Sequence, residues 1–210
     1  IPERKIRYRF AVLFSNDLNG DLSMRLVYGF GINDRPDLYF DKVYKLWSNM
    51  LRRAFSEKHH ITHPYYKDCT VAEEFRRFSD FYNWCQNQVG FGRDGYDLDK
   101  DLLVKGNKEY HPDKCVFLPK KLNILLIKAK KSRGKLPIGV SSHNKTGFIA
   151  LLSCNGKRKH LGRFRDPIDA FNTYKFAKEN LIKEFAEIYK HDIDPRAYET
   201  LMNYTVEITD

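Results

Sequence analysis

The residues best equipped for chemistry lie between positions 96 and 117, in the stretch YDLDKDLLVKGNKEYHPDKCVF. Asp99 and Asp101 offer carboxylate oxygens, Asn107 an amide, His111 an imidazole and Lys100 an ammonium. Oxygen donors suit a hard divalent cation such as magnesium. Such a cation neutralises a phosphate and stabilises the leaving oxygen when a phosphodiester is cut, provided a base or an oriented water makes the attack. His111 titrates in the right range for proton abstraction near neutrality, and Asp101 could orient a water or add a ligand. Lys100 cannot be the default base, because a lysine is protonated near pH 7 and a neighbouring carboxylate or phosphate favours that form further. On composition alone, a single loop carboxylate is ordinarily a solvated one.

A second group of residues could hold a polyanion. The formal net charge is +10, and 13 of the 37 Lys and Arg residues fall between Lys120 and Arg165, where there is no Asp or Glu. The rest of the chain carries fewer basic residues than its 27 acidic ones. An excess this local favours a binding surface over a generally solubilising charge, with nucleic acid as the first partner to test. The four cysteines, Cys69, Cys85, Cys115 and Cys154, show no C-x-x-C pair and read as reduced thiols of a cytosolic-type compartment. No apolar run approaches a membrane span, and the opening IPERKIRYRF is too charged for the apolar core of a signal peptide, so membrane attachment is not expected.

These residues must be placed by the elements around them. Residues 5–40 hold two strand-like runs, RYRFAVLF and MRLVYGFGI, separated by the turn signal SNDLNGD, a hairpin pattern. Val43, Leu46, Trp47, Met50, Leu51 and Phe55 recur at helical spacing, which assigns Trp47 to packing. HHITHPYYKDCTV, broken by Pro64, reads as an exposed loop, so His59, His60 and His63 are not taken as a metal site. A second helix begins with AEEFRRFSDFYNWCQNQ, its stripe being Phe75, Phe78, Phe81, Tyr82 and Cys85, with acidic residues at its positive end. The 96–117 stretch then reads as strand, loop and strand, closed by a short helix in PKKLNILLIKAKK begun at Pro119.

KSRGKLP has the composition of a basic linker. Beyond it come three short strands, IGVSSH, GFIALLSC and KRKHLGRF, joined by NKTG and NG turns. A long helix follows, with Asp166 as N-cap and Pro167 at its first position. Its apolar stripe runs through Ile168, Phe171, Tyr174, Ala177, Leu181, Phe185 and Ile188. In KRKHLGRF, Leu161 and Phe164 should pack while Arg158, His160 and Arg163 project, subject to a kink at Gly162. Such a sheet can lie in a major groove, where arginine matches the acceptors of guanine and lysine neutralises phosphate.

Residues 138 to 181, IGVSSHNKTGFIALLSCNGKRKHLGRFRDPIDAFNTYKFAKENL, closely resemble the Apetala-type DNA-binding domain of plant transcription factors and phage endonucleases. The points of match are Gly139-Val140, GFIALL, Asn155-Gly156, Leu161-Gly162-Arg163-Phe164, and Asp166 through Tyr174. The resemblance implies duplex-DNA binding through the sheet. Lys157, Arg158, Lys159, His160, Arg163 and Arg165 are its expected contacts, with Lys131 and Arg133 of the linker beside them.

YKLWSNMLRRAFSEKHHITHPYYKDCTVAEEFRRFSDFYNW followed by YDLDKDLLVKGNKEYHPDKCVFLPKKLN resembles the phage and mobile-element His-Asn-His (HNH) endonucleases, in which an aromatic segment precedes a ββα-metal finger. Similar sequences often carry a C-terminal Apetala-type domain, and the two resemblances together span residues 25 to 185. The resemblance places the metal ligands on Asp99 and Asn123 and implies magnesium or manganese if the site is active. The family's general base, usually histidine, falls on Lys100, and its loop-bracing asparagine falls on Lys114, two departures. His111 is the alternative base, and Asn107 the alternative brace. Related phage sequences also carry Lys or Arg after the aspartate.

The expected protein is therefore α+β. Residues 1–130 form an HNH-like nuclease domain with an N-terminal hairpin, helices and a finger at 96–130. A basic linker spans 131–137, and the three-stranded sheet backed by a long helix spans 138–192. The 193–210 tail could add a short helix or strand. The function expected is that of a monomeric, cytoplasmic, phage-type protein that binds duplex DNA and cuts it as a magnesium-dependent endonuclease, with Asp99, Lys100, His111 and Asn123 at the catalytic centre. The alternative is a catalytically degenerate HNH-fold DNA-binding protein in regulation or host takeover. A further class is an interaction protein whose basic surface sequesters something other than DNA.

Overall fold

In the computed structural model, described for residues 14–16, 22–24, 26–127, 136–143, 147–154 and 156–210, the chain is an α+β protein. Its contacts divide it into two compact units, Ile1–Phe91 with Val104–Cys115, and Gly92–Leu103 with Val116–Asp210. That division differs from a cut at the basic linker, because the 96–117 stretch contributes to both units.

In the first unit, β1 (Phe14–Asn16) and β2 (Leu22–Met24) pair antiparallel, so a hairpin forms, but its rungs run through Ser15 and Asn16 into SNDLNGD, the expected turn. From Leu26 on, MRLVYGFGI forms no strand: Val27 and Gly31 bridge around a tight turn in which Tyr28 and Gly29 take positive φ. Residues 7–13, 17–21 and 25 lie outside the described residues. Helix α1 (Lys42–Phe55) starts at Asp41, whose carboxylate accepts the Val43 N–H at 2.7 Å and so satisfies one of the open donors of the first turn. It buries Val43, Tyr44, Trp47, Met50, Leu51 and Ala54. Trp47 is fully buried and its indole N–H donates to the Phe75 carbonyl at 2.7 Å, the pairing that a buried Trp requires.

The segment expected as a loop after α1 is helical. Ser56 caps α2 (Glu57–Thr62) by accepting the His59 N–H, and the helix stops at His63 because Pro64 follows. Strand β3 (Thr70–Val71) comes next. The second expected helix begins later than the sequence suggests: Glu73–Phe75 form a single 3-10 turn and α3 spans Phe78–Gln86. Phe75, Phe78, Phe81 and Cys85 are fully buried as expected.

The second unit receives β4 (Tyr96–Asp99), whereas β5 (Glu109–Tyr110) belongs to the first unit and pairs parallel with β3. β6 (Val116–Pro119) pairs antiparallel with β4, bringing Asp99 opposite Val116, and α4 (Lys120–Leu125) follows with Pro119 at its N-cap. The sheet β7 (Val140–His143), β8 (Gly147–Cys154) and β9 (Lys157–Phe164) is antiparallel in that order. Asp166 caps α5 (Pro167–Ile188) by accepting the Ile168 N–H at 2.6 Å, and α6 (Pro195–Met202) supplies the helix in the tail.

The buried line of α5 is Ala170, Phe171, Tyr174, Lys178, Ile182 and Ala186; of the expected stripe Phe171 and Tyr174 lie on it, Ala177, Leu181 and Phe185 are partly buried beside it, and the ends Ile168 and Ile188 are 46% and 63% exposed. The first half of this helix closes a cluster of Ile138, Val140, Ala150, Leu152, Phe171 and Tyr174 over the sheet. Its second half joins Val116, Leu118, Leu122 and Leu125 of the strand–strand–helix unit and Ala197 and Leu201 of α6. Burying each large aliphatic side chain contributes roughly 1.5–3 kcal/mol. The tail beyond Asp192 thus shares these cores, and Lys175 and Glu179 of α5 bind the backbone oxygen and N–H of Val206, itself buried against the sheet cluster.

Gly139 enters the sheet with φ +76°, and a Cβ there would lie 2.1 Å from the Tyr174 ring. Gly139→Ala is expected to lower the unfolding free energy by roughly 2–4 kcal/mol, left-handed strain plus overpacking. Gly156, at φ +73° with no atom within 4 Å, isolates the strain, and its alanine variant should lose about 1–2 kcal/mol. Urea denaturation of the two variants reads the difference.

Candidate functional site

On a β-strand, successive side chains point to opposite faces, and residues paired across two strands share a face. Ala150 pairs with Val140 on one side and Gly162 on the other, and Ala150, Val140 and Leu152 are buried in the cluster under α5. Phe148, paired with Phe164, packs at the edge of the same cluster. The opposite face carries Ile149, Leu151 and Ser153 of β8. Their partners on β9 are Arg163, His160 and Arg158, and Ser141 and His143 of β7 complete the face.

Arg158, His160 and Arg163 thus project from one face, as expected, but strict alternation could not have put them there. His160 and Arg163 are three residues apart and would point oppositely. The register shifts between Ala150 and Leu151, which pair with Gly162 and His160, so Leu161 is an extra residue in β9. This β-bulge returns Arg163 to the face of His160 and sends Leu161 and Phe164 to pack on the helix side. All of Lys157, Arg158, Lys159, His160, Arg163 and Arg165 are exposed.

The structure also separates the expected DNA contacts. Lys157 and Lys159 pair with Cys154 and Leu152, so they belong to the helix side of an edge strand and not to the open face. Ser141, His143 and Ser153 on the open face were not singled out from the sequence. Their placement depends on register, which strand composition alone does not reveal. Lys131 and Arg133 lie outside the described residues.

At the end of β4, Asp99 is half-buried and its Oδ1 accepts two backbone N–H groups, from Asp101 at 2.9 Å and Leu102 at 2.8 Å. These bonds fold the chain into the turn that leaves the strand. The other oxygen, Oδ2, has no partner among the described residues, and neither does the half-buried side chain of Asn123 on α4, the helix that packs on β4 and β6. Burial raises the Asp99 carboxyl above its ordinary value and the Asp101 charge adds to this, against the lowering effect of the Leu102 and Asp101 amides and of Lys100. An Asp oxygen and an Asn oxygen are the donor types that a hard cation takes. Among the described residues no three His, Cys, Asp or Glu side chains converge as a metal cluster.

Lys100, in the base position, is a buried side chain, 7% exposed, whose ammonium donates to Asp101 Oδ1 at 2.5 Å. An ammonium is a donor only and offers no lone pair to a water. Asp101 is thereby tied to Lys100 and does not stand ready beside Asp99 as a second ligand. His111 belongs to the first unit, whereas Asp99, Lys100 and Asn123 belong to the second. Its Nδ1 accepts the Asp113 N–H at 3.1 Å, so the neutral ring carries its proton on Nε2, 3.8 Å from Glu74 Oε1. The lone pair a base needs is therefore engaged.

The loop between β4 and β6 is braced at Glu109. Asn107 accepts the Glu109 N–H at 3.2 Å and donates to its carbonyl at 2.7 Å, while Lys114 pairs with its carboxylate at 2.5 Å. Both candidates for the brace act on the same residue. Of the four cysteines, Cys69, Cys85 and Cys115 are buried and none is in a disulfide; burial pushes the Cys85 thiol well up, so it stays protonated. Among the described residues no helix is long and apolar enough to cross a membrane.

Comparison with family models, with curated proteins and with solved structures gives no match to this chain.

A carboxyl raised by folding binds its proton more tightly in the native state, so its contribution to stability falls as pH rises from the ordinary carboxyl value through the raised one. Asp99→Asn keeps an oxygen for the two amides but does not ionise. The stability of the parent relative to Asp99→Asn should therefore be greatest in acid, fall as pH rises through the carboxyl range and level off above it. Urea midpoints across that range, with no divalent cation present, measure it.

Proposed function

We propose that this protein binds duplex DNA with the open face of the β7–β9 sheet. The carrying observation is the bulge at Leu161, which gathers Arg158, His160 and Arg163 on the face that α5 leaves uncovered. The 13 basic residues between positions 120 and 165, without one acidic residue, supply the surrounding positive potential. Guanidinium forks match the O6 and N7 acceptors of guanine in a major groove, and an edge strand offers them with a narrow profile. Lys157 and Lys159 flank the face as phosphate neutralisers. The resemblance to Apetala-type domains supports the same face.

DNA affinity should fall steeply with salt as bound counterions are released. Arg158→Ala with Arg163→Ala should lower affinity at least tenfold, at about 1–3 kcal/mol for each arginine–base pairing removed. Lys157→Ala with Lys159→Ala should cost less and act uniformly across DNA sequences. Fluorescence anisotropy on a labelled duplex measures both. Affinity flat between low and physiological salt, or an equal drop in the two double variants, would sink this face as the docking surface.

A second reading is favoured by the open oxygens of Asp99 and Asn123: the β4–β6–α4 unit is an HNH-type ββα site that holds magnesium or manganese and nicks the bound DNA. The metal would supply charge neutralisation and a polarised water. Asp99 would bind through Oδ2 while Oδ1 keeps the turn, and Lys100 would remain a structural cation. With Lys100 tied to Asp101, cleavage would be slow and would depend on the metal-bound water.

Supercoiled plasmid incubated with the protein and Mg2+ or Mn2+ should be converted to open circles, and Asp99→Ala should not convert it. Inert parent protein with intact DNA binding would leave the degenerate, non-cleaving form of the fold as the function.

A further inference from the structure

The first half of α1 borders a shallow cleft of about 320 Å³ lined by Tyr39, Phe40, Tyr44, Lys45, Ser48 and Asn49. Tyr44 is its fixed element: the side chain is buried, and its ring packs against those of Trp47 and Phe78, with centroids 5.7 and 5.2 Å away. Burial, with Tyr39 and Tyr28 nearby, pushes the Tyr44 hydroxyl up to about 12, so it stays a neutral phenol able to donate a hydrogen bond. Tyr39 leans on Tyr44 at 4.7 Å, and Phe40 meets Tyr39 edge-on at 5.2 Å with planes at 90°. Tyr39 and Phe40 nevertheless remain 43% and 66% exposed.

Phe40 precedes the Asp41 cap, the position from which an apolar side chain commonly packs on the fourth helical residue. That residue is Lys45, which lines the same cleft, so no apolar partner awaits Phe40 there. Single exposed apolar residues are ordinary, whereas a cluster of them at a concave surface marks a binding site. Lys42, Lys45, Asn49 and Arg52 follow one another at steps of three, four and three residues, which puts them on one face of α1, and all four are exposed. The helix contains no acidic residue. The carboxylates before it are engaged, Asp37 with Arg35 at 2.8 Å and Asp41 with the Val43 N–H. Exposed rings beside a row of cations match a nucleic-acid strand whose bases are unpaired, because only an unstacked base offers its face to a ring.

We propose that this cleft binds an unpaired base of single-stranded DNA. The base stacks on Phe40 and Tyr39, the Asn49 amide and the Ser48 hydroxyl meet its polar edge, and Lys42, Lys45 and Arg52 neutralise the phosphates on either side. The choice of DNA rests on the duplex reading of the sheet face, whereas the cleft is a separate surface on the first unit. Every base has a face to stack, so the cleft selects for the single-stranded state and not for sequence.

The test uses the full chain carrying Arg158→Ala and Arg163→Ala, which removes the sheet face from the measurement. Fluorescence anisotropy follows a labelled oligothymidylate of about 12 nucleotides and a strand of equal length built from abasic sites. The oligothymidylate should bind about fivefold or more tightly than the abasic strand, the equivalent of one stacked base. Phe40→Ala should remove that difference, and Lys45→Ala should weaken both strands alike. In the otherwise unaltered chain Phe40→Ala should leave duplex affinity unchanged, so failure of the sheet reading and failure of the cleft are scored separately. Equal affinity for the two strands, or an oligothymidylate bound as well by Phe40→Ala, overturns the proposal, as does binding of an oligouridylate without the oligothymidylate. Phe40 is an exposed side chain, so its replacement should leave the fold intact, and circular dichroism checks this.

Discussion

A strand offers its side chains alternately to two faces, and a sheet with one face buried cannot use both for recognition. In β9 this parity would leave Arg163 under the helix and Phe164 in water. One extra residue, Leu161, reverses the order at the point where it is needed. It lets the same strand present Arg158 and His160 from its first half and Arg163 from its second, while Leu161 and Phe164 pack toward α5. Gly162 opposes Ala150, which is fully buried. The small residues there admit the close approach that the bulge makes. Charge at the surface and packing beneath it are thus settled by one local irregularity.

Asp99 is subject to a comparable double demand. One oxygen holds the turn after β4, and the other remains open. A protein that had lost cleavage would still need this carboxylate, or an isosteric amide, to fold the chain around Leu102, whose side chain is buried in the core of the unit. The presence of an aspartate at this position is therefore weak testimony to catalysis. Lys100 is more informative, since a buried ammonium needs a carboxylate to compensate the loss of water, and Asp101 provides it.

The elements with strong local signals were legible in the sequence. The cap at Asp166, the aromatic positions of the early helices and the three C-terminal strands are fixed by short-range patterns, and the structure agrees. What escaped depends on context. The α2 helix was hidden because histidines and a following proline look like a loop, although Ser56 is a sound N-cap. On α5 the buried Phe171 and Tyr174 were legible, whereas Ala170, Lys178, Ile182 and Ala186 were passed over in favour of Ile168 and Ile188, which are exposed. Of the candidate site, the three projecting β9 residues were legible, but not the bulge that makes the arrangement possible. The burial of Lys100 and the capture of His111 Nδ1 by Asp113 are events that spacing alone does not specify.

Helix α5 touches the sheet through Ala170, Phe171 and Tyr174 and the β4–β6–α4 core through Ile182 and Ala186. Between Ala170 and Ala186 the rise is about 24 Å, at 1.5 Å per residue. The helix therefore acts as a ruler. The spacing between the open sheet face and the Asp99 turn is held by a rigid rod. One residue inserted into the middle of the rod would rotate its two ends by about 100° relative to each other. The distance between the arginines of the open face and the carboxylate at the end of β4 is therefore written in the length of α5.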